Sequence, residues 1–162
     1  MIIEILTHTP LWVYGLFVGL IFVGWQQTRE RYVKQPTLLI LPLGMLALSF
    51  FGATSSFGYS LTIMLLWLAG VLSSTIIGLL LFSASSASYQ AQNASFKVPG
   101  SWWPMIFIMA IFFTKYAVGV LTSIKPELFA NAALVLSLAA FYGILSGTFI
   151  ARAIRVLKVR SS

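Results

Sequence analysis

The sequence has no cysteine, one histidine and only three acidic residues in 162. Without cysteine there is no disulfide, no CxxC redox pair, no thiolate metal site and no haem attachment through CxxCH. A lone His8 does not build a multi-histidine metal cluster. Charged residues make up 8% of the chain, against roughly 25% in an ordinary soluble domain. Also missing are an HExxH zinc signature, a Gly-rich phosphate loop and a serine with nearby histidine and acid, so no catalytic residue, metal or cofactor is expected.

Apolar residues are abundant. They make up 59% of the chain, with a mean hydropathy of +0.96. That balance excludes a soluble globular protein and points to an all-α, polytopic membrane protein. Crossing a hydrocarbon core about 30 Å thick takes roughly 20 apolar residues per helix. Five stretches meet that need, at residues 10–27, 36–53, 60–82, 102–122 and 128–150, as one membrane domain over 1–162. The first has Thr7 and Thr9 as candidate caps and Pro10 in its first turn. The second contains Pro42 and Gly44, where a kink is expected because proline removes a backbone donor. A cleavable signal peptide is disfavoured, since residues 1–9 carry Glu4 and no Lys or Arg, and Trp25-Gln26-Gln27 offers no small-residue cleavage pattern.

The ten basic residues give a net charge of +7. In a soluble protein that would suggest nucleic acid, but here the charges sit beside membrane spans with no reading domain attached. With the N-terminus outside, Arg29, Arg31, Lys34, Lys97, Arg152, Arg155, Lys158 and Arg160 all fall inside and only Lys125 outside. The positive-inside rule therefore gives an outside N-terminus and a cytoplasmic C-terminus. Trp25, Trp102 and Trp103 then lie at the inner interface.

The longest connection, 83–101, is Ser- and Ala-rich and reads as a partly helical surface loop on the cytoplasmic side. It contains an Asn93-Ala94-Ser95 sequon, silent in that orientation. The tail from Arg152 to Arg160 reads as a helical extension whose Arg152, Arg155, Lys158 and Arg160 meet anionic lipid.

Small residues recur at four-residue spacing: Gly15 and Gly19 in the first span, Gly70, Ser74 and Gly78 in the third, Ala139, Gly143, Gly147 and Ala151 in the fifth. Each set forms a groove for a neighbouring helix, in the same chain, a second copy or a larger membrane complex.

Lys115 is the most informative residue. A charge inside a span is rare and costly, and is by default a functional hypothesis. It either snorkels to the outer headgroups, serves as a buried ammonium in a polar cavity, or acts as a Schiff-base lysine. Its acidic partners are Glu4 or Glu127, since Glu30 falls on the inner side. His8, four residues after Glu4, shares a face with it if that segment is helical. Tyr14, Thr114, Tyr116 and Asn131 are further polar candidates, so the expected ligand-binding set is Lys115, Tyr14, His8, Glu4 and Tyr116.

Several motifs carry a resemblance. Thr9-Pro10-Leu11-Trp12-Val13-Tyr14, the basic Arg29 to Lys34 segment, Leu41-Pro42-Leu43, Pro99-Gly100-Ser101-Trp102-Trp103-Pro104 and Phe113-Thr114-Lys115-Tyr116 are similar to those of a family of small bacterial integral membrane proteins of unknown function. The resemblance spans nearly the whole chain and implies a bacterial inner membrane, with no activity attached. Two functional classes follow from the residues. The leading one is a non-enzymatic accessory or interaction protein. The other is a small-molecule or anion-binding, transporter-like protein using Lys115, although no internal repeat marks a transporter.

Overall fold

The computed structural model describes residues 9–81 and 87–160. Five helices run up and down: α1 Leu11–Thr28, α2 Gln35–Phe57, α3 Leu61–Leu81, α4 Trp103–Ile124 and α5 Ala132–Lys158. All five are long and apolar enough to cross a membrane.

Local chemistry sets their ends. Pro36 and Pro104 occupy the first turns of α2 and α4, where the missing N–H would have no helical partner. The α2–α3 turn passes through Gly58 at φ 78°, a left-handed conformation open to glycine without strain, and its N–H donates to Thr54 O. Asn131 caps α5, its Oδ1 accepting from the N–H groups of Ala133 and Leu134 at 3.0 and 3.4 Å. α2 continues through Pro42, and α5 carries the tail as helix to Lys158.

The most extensive packing joins α3 to α5. Glycine makes it possible. A Cβ on Gly70 would stand 2.5 Å from Ala140 O, one on Gly143 would collide with Trp67 O, and one on Gly147 with Val71 O. Backbones in such contact gain dispersion and weak polar interactions that lipid does not supply. Thr75 Oγ1 bridges the pair, lying 2.7 Å from Val71 O and 3.1 Å from Gly147 O. Ser74 and Gly78 are buried as well. Gly15 and Gly19 differ, since no atom lies within 4 Å of a Cβ at either position. Their groove on α1 is open in the single chain.

α2 is tied in by a polar chain at the centre of the bundle. Ser146 Oγ and Ser49 Oγ are 2.6 Å apart, and Trp67 Nε1 donates to Ser49 Oγ at 3.1 Å. Both serines are fully buried, so one hydrogen-bonded group links α2, α3 and α5. The surrounding core comprises Met45, Ala53, Ile63, Ile108, Ile111, Tyr142, Leu145 and Phe149. α1 packs on α4, with Phe17 against Phe112 and Phe113 at ring-centroid distances of 5.1 and 5.8 Å.

The fold is not purely helical. A three-stranded antiparallel sheet, ordered β1-β3-β2, closes one end: β1 is Arg31–Lys34, β2 Ser88–Gln90 and β3 Ser95–Val98. The expectation of a partly helical loop at 83–101 is corrected here; residues 82–86 lie outside the described residues. β2 and β3 form a hairpin through a 3₁₀ turn at Ala91–Asn93 and Ala94 at φ 45°. β1 pairs Arg31 with Val98 and Lys34 with Ser95. The alternating apolar side chains Val33, Phe96 and Val98 bury one sheet face against Ala87 and Val156 of α5.

Candidate functional site

Opposite the sheet, a cavity of about 730 Å³ opens between the start of α1, the second half of α4 and Leu48 of α2. Trp12, Val13, Leu16, Phe112, Val120 and Ile124 give it apolar walls, while Thr9, Lys115, Tyr116 and Ser123 supply polar groups. That size and lining suit a small amphipathic molecule.

Helix periodicity places the polar side. Lys115 and Tyr116 follow the wall residue Phe112 by three and four positions, about one helical turn, and Gly119 and Val120 continue the same lining one turn further along α4. The Tyr116 hydroxyl and Thr9 Oγ1 are 2.8 Å apart, strapping the entry of α1 to α4. Thr9 therefore does not cap α1, whose N-cap is Pro10 without a side-chain bond.

Lys115 is half-buried, and its Nζ donates to Ser55 Oγ of α2 at 2.9 Å. No carboxylate reaches it among the described residues. Beneath the lysine stem is Gly52, where a Cβ would lie 3.6 Å from Lys115 Cδ, 3.9 Å from Nζ and 3.8 Å from Tyr142 Cζ. Lysine and tyrosine thus flank the same glycine. The Tyr142 hydroxyl is buried and has no hydrogen-bond partner among the described residues. A buried orphan hydroxyl of this kind is costly unless a further group or water meets it.

Of the expected binding set, the structure brings Lys115 and Tyr116 together at the cavity wall, alongside Thr9. Tyr14 lies on α1 but is not in the lining and is 39% exposed. Glu4 and His8 lie outside the described residues. Glu127 sits in the 3₁₀ turn Pro126–Ala130, and Asn131 is engaged as the α5 cap. Ser55, Gly52, Tyr142 and Trp12 had not been expected at the site. Their signal was weak, because pairing of a lysine with a neutral hydroxyl on another helix leaves no spacing pattern in the chain.

At the sheet end the basic residues fold back on the protein. Lys97 and Glu30 form an ion pair at 3.0 Å, and the hydrogen bond to Glu30 and its charge hold the ammonium above its ordinary pKa. Arg152 Nη2 donates to Pro99 O at 3.3 Å, Arg155 Nη2 to Leu79 O at 2.7 Å and Arg160 Nη1 to Gln35 Oε1 at 3.0 Å. Lys158 is exposed.

Five membrane-length helices, an end-capping sheet and a lateral cavity with one lysine define a small multi-span helical protein of the membrane type. The whole chain, residues 1–162, matches DUF6622, a family of unknown function, and the protein belongs to that family. No curated protein and no solved structure matches it.

Proposed function

We propose that this protein is a non-enzymatic membrane protein that binds a small amphipathic anion, with the apolar body of the ligand against Trp12, Leu16 and Phe112 and its anionic head at Lys115. One observation carries the reading. At the wall of an apolar cavity of about 730 Å³, the Lys115 ammonium has only a neutral hydroxyl as partner among the described residues. An ammonium inside a span without a counter-charge is expensive, and an incoming carboxylate or similar head would offset that cost. The Tyr142 hydroxyl, buried beside Gly52 and outside the cavity lining, is a second polar group near the lysine stem without a partner among the described residues.

The orientation that goes with this reading has the sheet end inside, where it gathers eight basic residues against Lys125 at the other end. The cavity then opens in the outer half of a bacterial inner membrane. The accessory reading has its own support: the exposed groove of Gly15 and Gly19 on α1 has room for another helix of a second copy or a larger complex. Binding and docking use different faces and are compatible.

The cysteine-free background provides the test. In Ser123→Cys, which places a thiol in the cavity lining and leaves Lys115 intact, an impermeant thiol reagent applied from the outside should label position 123, and dodecanoate should protect it. Absence of labelling in an inserted, folded variant, or labelling that dodecanoate leaves unchanged, would contradict the proposal.

A further inference from the structure

At the opposite end of the bundle, independently of the cavity, two arginines are brought together. In β1 side chains alternate between faces, so Arg31 shares the buried face of Val33. On α5, Arg152 lies one turn before Val156, on the same stripe. Val33 and Val156 pack in one cluster. The two arginines beside them are therefore held together, and their charges repel.

A turn fixes both. Arg31 is paired with Val98 across the sheet, and Arg152 Nη2 bonds the carbonyl of the next residue, Pro99. Gly100 packs against the backbone of Thr28 and Arg29 with no room for a Cβ, and Ser101 N donates to Gln27 O at 2.8 Å. The buried Gln27 side chain accepts from Arg31 Nη2. Each guanidinium thus has a neutral acceptor and N–H groups to spare.

Among the described residues no carboxylate reaches either arginine: Glu30 is paired with Lys97, and Glu127 lies in the α4–α5 turn at the far end. Two half-buried guanidiniums at the membrane-proximal edge of a sheet, without counter-charge, make a fork-shaped receptor for a tetrahedral oxyanion.

We propose that Arg31 and Arg152 clamp a phosphate group at the sheet end, with the Pro99-Gly100-Ser101 turn as the rigid support. The arginines follow the apolar stretches of α1 and α5, the level at which phospholipid headgroups lie. The shared chemistry is a phosphate monoester or free phosphate.

The test uses the full chain in a neutral detergent, with thermal unfolding as the readout. Dioctanoyl phosphatidic acid should raise Tm at concentrations where dioctanoylglycerol, which lacks the phosphate, does not. Inorganic phosphate alone producing the same rise would assign the site to a soluble source, and a rise with the lipid only would assign it to a headgroup. Either supports the clamp. In R31Q/R152Q the rise should vanish, whereas R160Q, which alters an exposed arginine bound to Gln35, should keep it. R31K/R152K retains the charge without the planar forks and should need about tenfold more ligand, equivalent to about 1.4 kcal/mol. No rise with either phosphate compound in the unsubstituted chain would overturn the proposal whatever the variants do, and so would a full rise in a folded R31Q/R152Q chain.

Discussion

Lys115 of α4 donates to the hydroxyl of Ser55 on α2 at 2.9 Å, and this neutral oxygen is the only hydrogen-bond acceptor the ammonium has among the described residues. A residue present for stability inside a membrane is ordinarily matched by a better partner. The pairing has direct consequences for stability and for binding.

Replacing Lys115 by methionine keeps the length of the side chain and removes the charge. Thermal unfolding in detergent should give a Tm equal to or above that of the parent chain, because the desolvation cost disappears with the ammonium. A marked fall in Tm would make Lys115 a packing residue.

Trp12 lines the cavity wall, whereas Trp25 and Trp102 contact each other at 6.3 Å between ring centroids and Trp67 is bonded to Ser49 in the core. A bromine-bearing undecanoate should therefore quench tryptophan fluorescence saturably, and Trp12→Phe should remove most of the quenched component. Saturable quenching that survives Trp12→Phe would place the ligand elsewhere.

The two glycine grooves should respond unequally to alanine. At Gly143 the added methyl meets the Trp67 carbonyl oxygen, so Gly143→Ala should cost about 1–3 kcal/mol of unfolding free energy as the helices are forced apart. At Gly15, with open space around it, Gly15→Ala should stay within about 0.5 kcal/mol. Reversible unfolding in mixed micelles measures both.

The serine network predicts an ordering. Ser49→Ala leaves both Trp67 Nε1 and Ser146 Oγ without their shared oxygen, while Ser146→Ala removes one donor and leaves the Trp67 bond intact. Ser49→Ala should be the more destabilising, and a double-mutant cycle of the pair should show coupling of about 0.6–1.7 kcal/mol. Additive effects would mean that the two hydroxyls act separately.

The helices were legible because a membrane-length apolar run imposes a helix with little dependence on tertiary context. The sheet was not. Its strands are three or four residues long and lie in a Ser- and Ala-rich segment and a basic turn, so composition suggested a loop. The signal was the alternation in Tyr32-Val33-Lys34 and Phe96-Lys97-Val98, too short to stand without a partner strand. Four-residue glycine spacing announced grooves but not which were filled: Gly70, Gly143 and Gly147 meet backbone while Gly15 and Gly19 meet nothing. Lys115 stood out as a charge in a span, yet opposite charge and polar side chains at similar depth were the only guides to its partner. Ser55 and Tyr142 emerge only from the way α4 and α5 pack against α2 around Gly52.

The most direct test of anion binding at Lys115 compares dodecanoate with dodecanol, two ligands of one chain length, on the full chain and on Lys115→Met in the same neutral detergent. Dodecanoate should bind the parent chain at least about tenfold more tightly than dodecanol, a difference of about 1.4 kcal/mol, and Lys115→Met should abolish that preference while retaining dodecanol binding. Equal affinities in the parent chain, or a carboxylate preference that persists in Lys115→Met, would contradict the account.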